Sequence, residues 1–212
     1  MAANPFTTLI AHAHYRQSGG EDNDFHAEAG LLRSEGHRVV TYEDDNRRIR
    51  NSAVTGLVGI WNQVCHSKLT ALIRSTRPAI AHFHNTFPLI SPAAYYAAQA
   101  LQVPVVQKIS NYRLLCPGAL LLRDGKICRE CVETGSFRPG IQHRCYRNSH
   151  SATAAVASML SIHRTLGTWT NAVDLYIAVT ESLRQEYIRG GFPEDRIVVK
   201  PQFVKDRGVG SG

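Results

Sequence analysis

The sequence predicts an α/β fold, a Rossmann-like doubly wound parallel sheet, and three observations carry this prediction. Short β-prone runs alternate with stretches of helical spacing along the chain. A glycine pair separates the first run from the first helical stretch. With 212 residues, of which 43% are hydrophobic, the chain can bury the core of one such domain. Strands and helices in this order favour a parallel sheet with right-handed crossovers.

The first half of the chain supplies three strands and two helices. We predict strands at residues 6–11, 37–42 and 79–84, each a short run rich in apolar or β-branched residues. The first helix starts at Asp22 and ends at Gly36, where glycine suits a left-handed cap. Apolar residues at threes and fours predict one helix over 54–75, and the charged stretch 43–51 before it is expected to be a loop.

The second half continues the alternation around an insert. The cysteine- and arginine-rich stretch from Asn111 to Cys145 follows the predicted strand 103–109 directly. The other predicted elements are a helix over 92–101, a helix over 151–166, a strand over 174–179, the helix Glu181–Arg189 with Gly190-Gly191 as its stop, and the strand Ile197–Val199. Because α/β sheets build sites on loops leaving the carboxyl ends of strands, we expect the insert to serve function.

Composition and charge restrict the class of protein. No stretch approaches the roughly 20 apolar residues of a membrane span, and the first residues lack a secretory pattern, so we expect a cytoplasmic protein. The net charge is +7, and between Gln107 and His150 eight cations stand against three anions. This local excess indicates an anionic partner, such as a phosphate, a lipid surface or nucleic acid; the alternative is a solvated basic face.

Gly19, Gly20 and Glu21 lie between the first strand and the first helix. Backbone amides and the helix dipole favour a phosphate at such a place, although a glycine pair also makes ordinary turns. The loop matches neither the GxGxxG fingerprint nor a P-loop, which argues against dinucleotide and P-loop functions.

His82 and His84 alternate on the third predicted strand and therefore point to one side of the sheet. We expect one of them to pack within the sheet, while His84, with Asn85 after it, is placed to contact substrate. A metal site would require a third ligand, and none is close in sequence.

Four of the five cysteines, Cys116, Cys128, Cys131 and Cys145, lie within or at the end of the insert. They include one C-x-x-C step, and four soft ligands in a reducing compartment suit a structural tetrahedral zinc ion. The alternative is a set of inert free thiols, because a second C-x-x-C step is missing. Cys65 is expected to be a small core residue.

Asn111 and Arg113 open the insert, and an amide with a guanidinium can orient a sugar or a phosphate. The alternative is an anchored loop in which Tyr112 packs and Arg113 pairs with a carboxylate. Residue types alone do not separate these interpretations.

Several blocks together resemble the amino-terminal domain of the family 4 glycosyltransferases, which are retaining enzymes of the GT-B fold that include many bacterial polysaccharide transferases. The blocks are SGGED from Ser18, GHRVVTYE from Gly36, HFHNTFPLISP from His82, NYRLLCPG from Asn111 and HRCYR from His143. The resemblance implies the amino-terminal half of a GT-B fold over residues 1–204 and the start of an interdomain linker at 205–212, with the donor domain absent.

The resemblance also implies roles for individual residues. The Gly19-Gly20 loop would approach the donor diphosphate, His84 and Asn111 would line the cleft, and the insert would face a phosphorylated acceptor or the inner face of the membrane that holds a lipid-linked one. Catalysis would need no cofactor. Relatives carry a histidine where this chain has Ser110, and a hydroxyl lacks the reach and titration of an imidazole, so the catalytic residue stays unassigned.

The expected function is therefore transfer of a sugar, with retention, from a nucleotide-sugar to a glycan or lipid-linked acceptor, with little activity unless a donor domain is supplied. Two alternatives remain open. One is a stand-alone binding module for a phosphorylated glycan or an anionic lipid. The other, zinc-dependent nucleic-acid binding, lacks a recognition helix or an aromatic RNA-binding strand.

Overall fold

The computed structural model describes residues 4–15, 19–49 and 52–203, so Ser18 and the predicted linker at 205–212 lie outside the described residues. The strands are β1 (Thr7–His14), β2 (Arg38–Asp45), β3 (Ile80–Phe83), β4 (Val105–Ile109), β5 (Leu122–Arg123), β6 (Lys126–Ile127), β7 (Leu175–Ala178) and β8 (Ile197–Val199). The helices are α1 (Gly20–Ser34), α2 (Ser52–Ile60), α3 (Gln63–Thr76), α4 (Ala93–Gln99), α5 (Glu130–Glu133), α6 (Arg138–Gln142), α7 (His150–Thr165), α8 (Thr168–Asn171) and α9 (Glu181–Arg189).

The main sheet of the described chain has six strands in the order β2-β1-β3-β4-β7-β8. Every neighbouring pair in it is parallel. The chain leaves β1 toward β2 on one side and then returns to β3 on the other, so the direction of winding reverses between β1 and β3. Ligands of open α/β sheets bind outside the carboxyl ends of the strands at such a switch point. The predicted α/β class is confirmed.

Helices cover both faces of the sheet, as the burial of β1 demonstrates. Leu9 and Ile10 are neighbours on the strand and face opposite sides, yet both have 0% exposure. Ile10 packs with Phe25 of α1, whereas Leu9 belongs to the larger core that includes Leu69 of α3. Burial of a side chain of this size contributes about 1.5–3 kcal/mol. Because helices cover both faces of the sheet, a binding site can form only at the ends of the strands.

The predicted helix over 54–75 is wrong in one respect: it is two helices, α2 and α3, with a break at Trp61 and Asn62. The Asn62 side chain accepts a hydrogen bond from the Cys65 N–H at 3.0 Å and so caps α3. Its amide group also donates to the Leu89 carbonyl, which is distant in sequence. The apolar spacing alone favours one continuous helix, but the Asn62 cap and its hydrogen bond to a distant carbonyl stabilise a break at this residue.

The prediction of a loop over the charged stretch 43–51 is also partly wrong, because β2 extends to Asp45. The end of β1 extends with it, to His14 rather than residue 11, and His14 pairs in register with Asp45. The His14 ring donates to the Glu43 carboxylate at 2.9 Å. Charged side chains are tolerated here because β2 is the edge strand.

No element is predicted for the insert, but the structure forms the hairpin β5-β6 and the short helices α5 and α6 there. Asp124 and Gly125 join the two strands with φ of 51° and 75°, as a two-residue hairpin turn requires. The Asp-Gly pair is the signal that could have revealed this hairpin. In the described part of the chain, no helix combines the length and apolar character that a bilayer crossing requires.

Candidate functional site

An open cleft of about 810 Å³ lies at the carboxyl ends of the strands around the switch point. Its walls are formed by Tyr15, Gly19, Gly20, Glu21, Asn46, Ile49, Phe87, Pro88, Arg113, Tyr146 and Arg147. A smaller cavity continues from it toward the sheet, and among its lining residues are Glu21, His84, Asn85, Ser110, Asn111 and Arg113. Glu21, Phe87 and Arg113 line both spaces, which are therefore adjacent parts of one candidate site.

All seven residues predicted to contact substrate line this site. They come from the start of α1 (Gly19, Gly20, Glu21), the residues after β3 (His84, Asn85) and the loop after β4 (Asn111, Arg113). Parallel strands place their carboxyl ends at one edge, which explains why segments distant in sequence meet here. That these residues bind a substrate stays a prediction.

Gly19 and Gly20 begin helix α1, and neither packing nor backbone conformation requires glycine there. Gly19 is extended, with φ of −141°, and a Cβ built on either glycine meets no atom within 4 Å. The Gly19 N–H already donates to the Asp22 carboxylate at 2.8 Å. The first turn of α1 therefore faces open space that a ligand can approach closely.

Glu21 is held in the site by two hydrogen bonds. The Tyr15 hydroxyl donates to one carboxylate oxygen at 2.7 Å, and the Asn111 amide donates to the other at 2.9 Å. Burial, with the neighbouring Glu21 charge, raises the pKa of Tyr15 well above its usual range, so this hydroxyl stays a donor. An oriented carboxylate repels phosphate but accepts hydrogen bonds from hydroxyl groups, so Glu21 suits a sugar better than a diphosphate.

Arg113 stacks between two aromatic rings instead of pairing with a carboxylate. Its guanidinium carbon lies 4.8 Å from the Phe87 ring centroid and 5.0 Å from that of Tyr146, and the group donates to the Pro117 carbonyl. In the described chain no carboxylate lies within 4.0 Å of it. Burial lowers the pKa of Arg113, but a guanidinium remains charged. The cleft wall thus presents a guanidinium that is not in direct contact with a carboxylate, although Glu21 lines the same cleft.

His82 and His84 lie on one side of the sheet, as predicted, with ring centroids 4.8 Å apart. His84 is buried, and its Nε2 atom contacts the Glu28 carboxylate at 2.8 Å. Lys108 and Lys200 contact the same carboxylate. His84 therefore borders the cavity as a member of a buried ion cluster rather than as a free side chain.

Burial alone would raise the pKa of Glu28, but the His84 hydrogen bond and the surrounding positive charges hold it well below its usual range. Lys108 also pairs with Asp24, another buried carboxylate of α1. The sequence signal for this cluster was present: Asp24 and Glu28 flank Phe25 on the helix face turned to the sheet. Buried carboxylates four residues apart require cationic partners.

Among the residues that the structure describes, two groups of side chains have three possible ligand atoms within 4.8 Å of one another: Glu28 with His82 and His84, and Asp22 with His12 and His14. Lys108 and Lys200 already neutralise the first group. In the second, His12 and His14 donate to Asp22 at 2.8 and 3.0 Å. The hydrogen bonds satisfy the second group, whereas in the first group the buried Nε2 atom of His82 has no hydrogen-bond partner among the described residues.

The positive charge of the insert is smaller at the surface than the sequence suggests. Lys108 is buried against Asp24, Arg113 is stacked inside the cleft wall, and Arg123 and Arg129 pair with glutamates. Lys126, Arg138, Arg144 and Arg147 remain exposed. Half of the predicted basic side chains therefore stabilise the fold or shape the cleft.

The four cysteines predicted as zinc ligands surround one small cavity behind the cleft wall. Cys131 is buried and the other three are half-buried, and all are free thiols. Cys65 is buried in the core at a different place, as expected. Zinc binding by the four stays a prediction.

Neither a protein-family model nor a curated protein matches the chain. Solved structures do match it. MnaA of S. aureus, in a co-structure with UDP, matches with a TM-score of 0.51 at 10% identity over 92% of this chain and 43% of that one. A UDP-N-acetylglucosamine 2-epimerase from Rickettsia bellii matches with a TM-score of 0.50 at 10% identity over 93% of this chain and 45% of that one.

At this level of identity the likeness shows the fold alone. It confirms the α/β Rossmann-like class. The chain spans less than half the length of the proteins it matches.

Proposed function

We propose that this chain is the acceptor-side half of a retaining GT-B glycosyltransferase of polysaccharide biosynthesis. In this proposal the complete enzyme moves a sugar from a nucleotide-sugar to a glycan or a lipid-linked acceptor. One observation carries the proposal: the loops after β1, β3 and β4 bring the predicted substrate residues together in one cleft at the switch point. A fold neighbour occurs in a co-structure with UDP, which supports a nucleotide-sugar as the donor.

The residues of the cleft divide into two chemical roles. The exposed first turn of α1 and the Arg113 guanidinium both favour negative charge, so they are placed to face the diphosphate of the donor. Glu21 and Asn111 offer oriented polar atoms that suit sugar hydroxyl groups. Transition-state charge on a leaving diphosphate would be stabilised from this side by a fixed cation that needs no reorganisation.

Ser110 lies at the base of the smaller cavity, where relatives in the resembled family carry histidine. Its hydroxyl can donate one hydrogen bond to a sugar, but unlike a histidine ring it does not titrate near neutral pH and cannot act as a general acid or base there. The proposal therefore assigns Ser110 to substrate positioning, and it places the remaining catalytic groups on a donor-binding domain.

The test is a transfer assay with a panel of labelled nucleotide-sugars, in which the chain is mixed with a donor-binding domain supplied as a second polypeptide. We expect product in the mixture only, with the anomeric configuration of the donor retained. Arg113→Met should abolish transfer, whereas Arg138→Met, which removes an exposed arginine of the same insert, should leave it unchanged.

A different outcome would favour the stand-alone binding module. In that case no mixture forms product, and the chain alone binds a phosphorylated glycan or vesicles of anionic lipid with an affinity that the donor domain does not alter. That result would refute the transferase proposal.

A further inference from the structure

Three separate segments of the insert bring their cysteines to one small cavity. Cys116 follows the loop that carries Arg113, Cys128 and Cys131 belong to the end of the β5-β6 hairpin and to α5, and Cys145 follows α6. All four line the same space. Such convergence of every cysteine in a segment, with no disulfide formed, is typical of a metal site in a reducing compartment.

The backbone around the thiols is shaped to pass close to them. A Cβ at Gly118 would lie 3.0 Å from the Cys145 carbonyl oxygen and 3.7 Å from the Cys116 Sγ atom. A Cβ at Gly140 would lie 3.5 Å from the Cys131 Sγ atom, so the backbone of α6 also passes close to a thiol. Close backbone contacts of this kind restrict the positions that the thiols can adopt.

Regular secondary structure contributes little to the insert. Its helices α5 and α6 have four and five residues, and its strands β5 and β6 have two each. Leu120, Leu122 and Ile127 are exposed rather than packed in a core. Leu115, Cys131 and Phe137 pack into the main core, so a cross-link would mainly restrain the part of the insert outside it, the β5-β6 hairpin.

We propose that Cys116, Cys128, Cys131 and Cys145 bind one structural zinc ion as a tetrathiolate site. Binding converts four thiols and Zn²⁺ into a complex of net charge −2 and releases four protons to solvent; no electron is transferred. Arg123 also lines the cavity, although its guanidinium pairs with the Glu130 carboxylate. The four sulfur atoms do not form a set in which three lie within 4.8 Å of one another. The cysteine side chains must therefore move closer together to bind the ion.

The ion would connect both sides of the cleft wall. Arg113 donates to the carbonyl of Pro117, the residue after Cys116. Tyr146, one of the two rings that hold the guanidinium, follows Cys145 directly. Zinc would thereby fix the distance between the arginine and its ring, while making no contact with substrate.

Metal analysis of the chain purified without chelator tests the site directly. We expect about one zinc ion per chain, and cobalt substitution should give the intense thiolate-to-metal absorption and visible bands of a tetrahedral site. Cys128→Ser and Cys131→Ser should lose the metal, whereas Cys65→Ser, which changes a buried cysteine outside the cavity, should retain it.

Because a cysteine variant can simply fail to fold, a second measurement uses the unaltered chain. Removal of zinc with a chelator should speed amide exchange in residues 112–118 and 143–147 by at least about tenfold and leave α9 unchanged. Zinc well below stoichiometric, with an intact mass that shows either disulfides or five free thiols, would overturn the proposal. The measurement needs no donor or acceptor, so its failure is separable from failure of the transferase proposal.

Discussion

The guanidinium carbon of Arg113 lies 5.0 Å from the ring centroid of Tyr146. These residues are far apart in sequence, on the two sides of the cysteine-rich insert, and the contact closes the insert into a loop whose base forms the cleft wall. A cation over a ring face is stabilised by about 0.5–2 kcal/mol, more when water is excluded. The charge of the cleft therefore depends on the geometry of the whole insert.

Replacement of Arg113 by lysine tests whether this geometry, rather than charge alone, serves binding. Lysine keeps the positive charge but loses the planar group that stacks between two rings. We expect Arg113→Lys to lower the rate of transfer in the two-domain assay by about tenfold or more, equivalent to about 1.4 kcal/mol. Arg138→Lys is the matched control, and equal rates for both variants would show that stacking is unimportant.

Gly20→Leu should separate ligand approach from stability. A side chain at Gly20 meets no neighbouring atom, so the fold should be unaffected or stabilised by about 0.5–1 kcal/mol through better helix propensity. The same side chain would occupy the space over the first turn of α1 and abolish transfer. Gly30→Leu, at an exposed position of the same helix, should give the stability gain without the loss of transfer. Urea unfolding and the transfer assay measure the two effects.

Glu28→Gln should be strongly destabilising. The substitution removes the carboxylate that His84, Lys108 and Lys200 share. Loss of one partner from a buried ion pair costs about 3–5 kcal/mol, because the remaining charges stay buried without compensation.

Glu35→Gln is the control for that substitution. Glu35 is exposed at the end of the same helix, and a change there should stay within about 0.5 kcal/mol. Equilibrium urea unfolding compares the two variants. If they unfold at the same urea concentration, the buried cluster does not contribute to stability in the way described.

Stability should fall as the pH decreases from 7 to 5. Burial lowers the pKa of His12 to about 4 and that of His82 to about 3, from 6.5 when unfolded. The unfolded chain therefore binds protons at pH values where the folded chain does not, and the stabilisation present above pH 6.5 is lost below it. Each histidine contributes a slope of up to about 1.4 kcal/mol per pH unit.

His14 opposes this trend, because the hydrogen bonds to Glu43 and Asp22 outweigh burial and raise its pKa. Its contribution is complete below pH 6.5 and is lost as the pH rises through the raised value. Urea unfolding at several pH values gives the slope of the unfolding free energy against pH. In His82→Gln this slope should be smaller by an amount equivalent to about one proton. An unaltered slope in His82→Gln would contradict the assignment.

Much of the fold followed from local patterns. The helix Glu181–Arg189 and the strand Ile197–Val199 occur with the predicted bounds, and Gly36 has the left-handed φ expected of a cap. These features depend on spacing, caps and turn residues, which act over a few neighbouring residues. The break at Asn62 did not follow, because the partner of that side chain, Leu89, lies elsewhere in the sequence.

For the candidate site, too, some features were predicted from the sequence and others were not. The identities of Gly19, Gly20, Asn111 and Arg113 as cleft residues followed from their position after predicted strands, because parallel strands end at one edge. Tyr146 was not predicted as the partner of Arg113, and Glu28 was not predicted as the partner of His84. Nothing in the spacing of these pairs indicates contact.

The sequence by itself thus determined the α/β class, the order of its elements and the edge of the sheet where a site forms. The tertiary structure decided which charges are neutralised, which cation remains available in the cleft, and that four distant cysteines share one cavity. The physical reason is range. Hydrophobic periodicity and capping are local, whereas charge compensation and metal-ligand geometry depend on side chains that only the packed chain brings together.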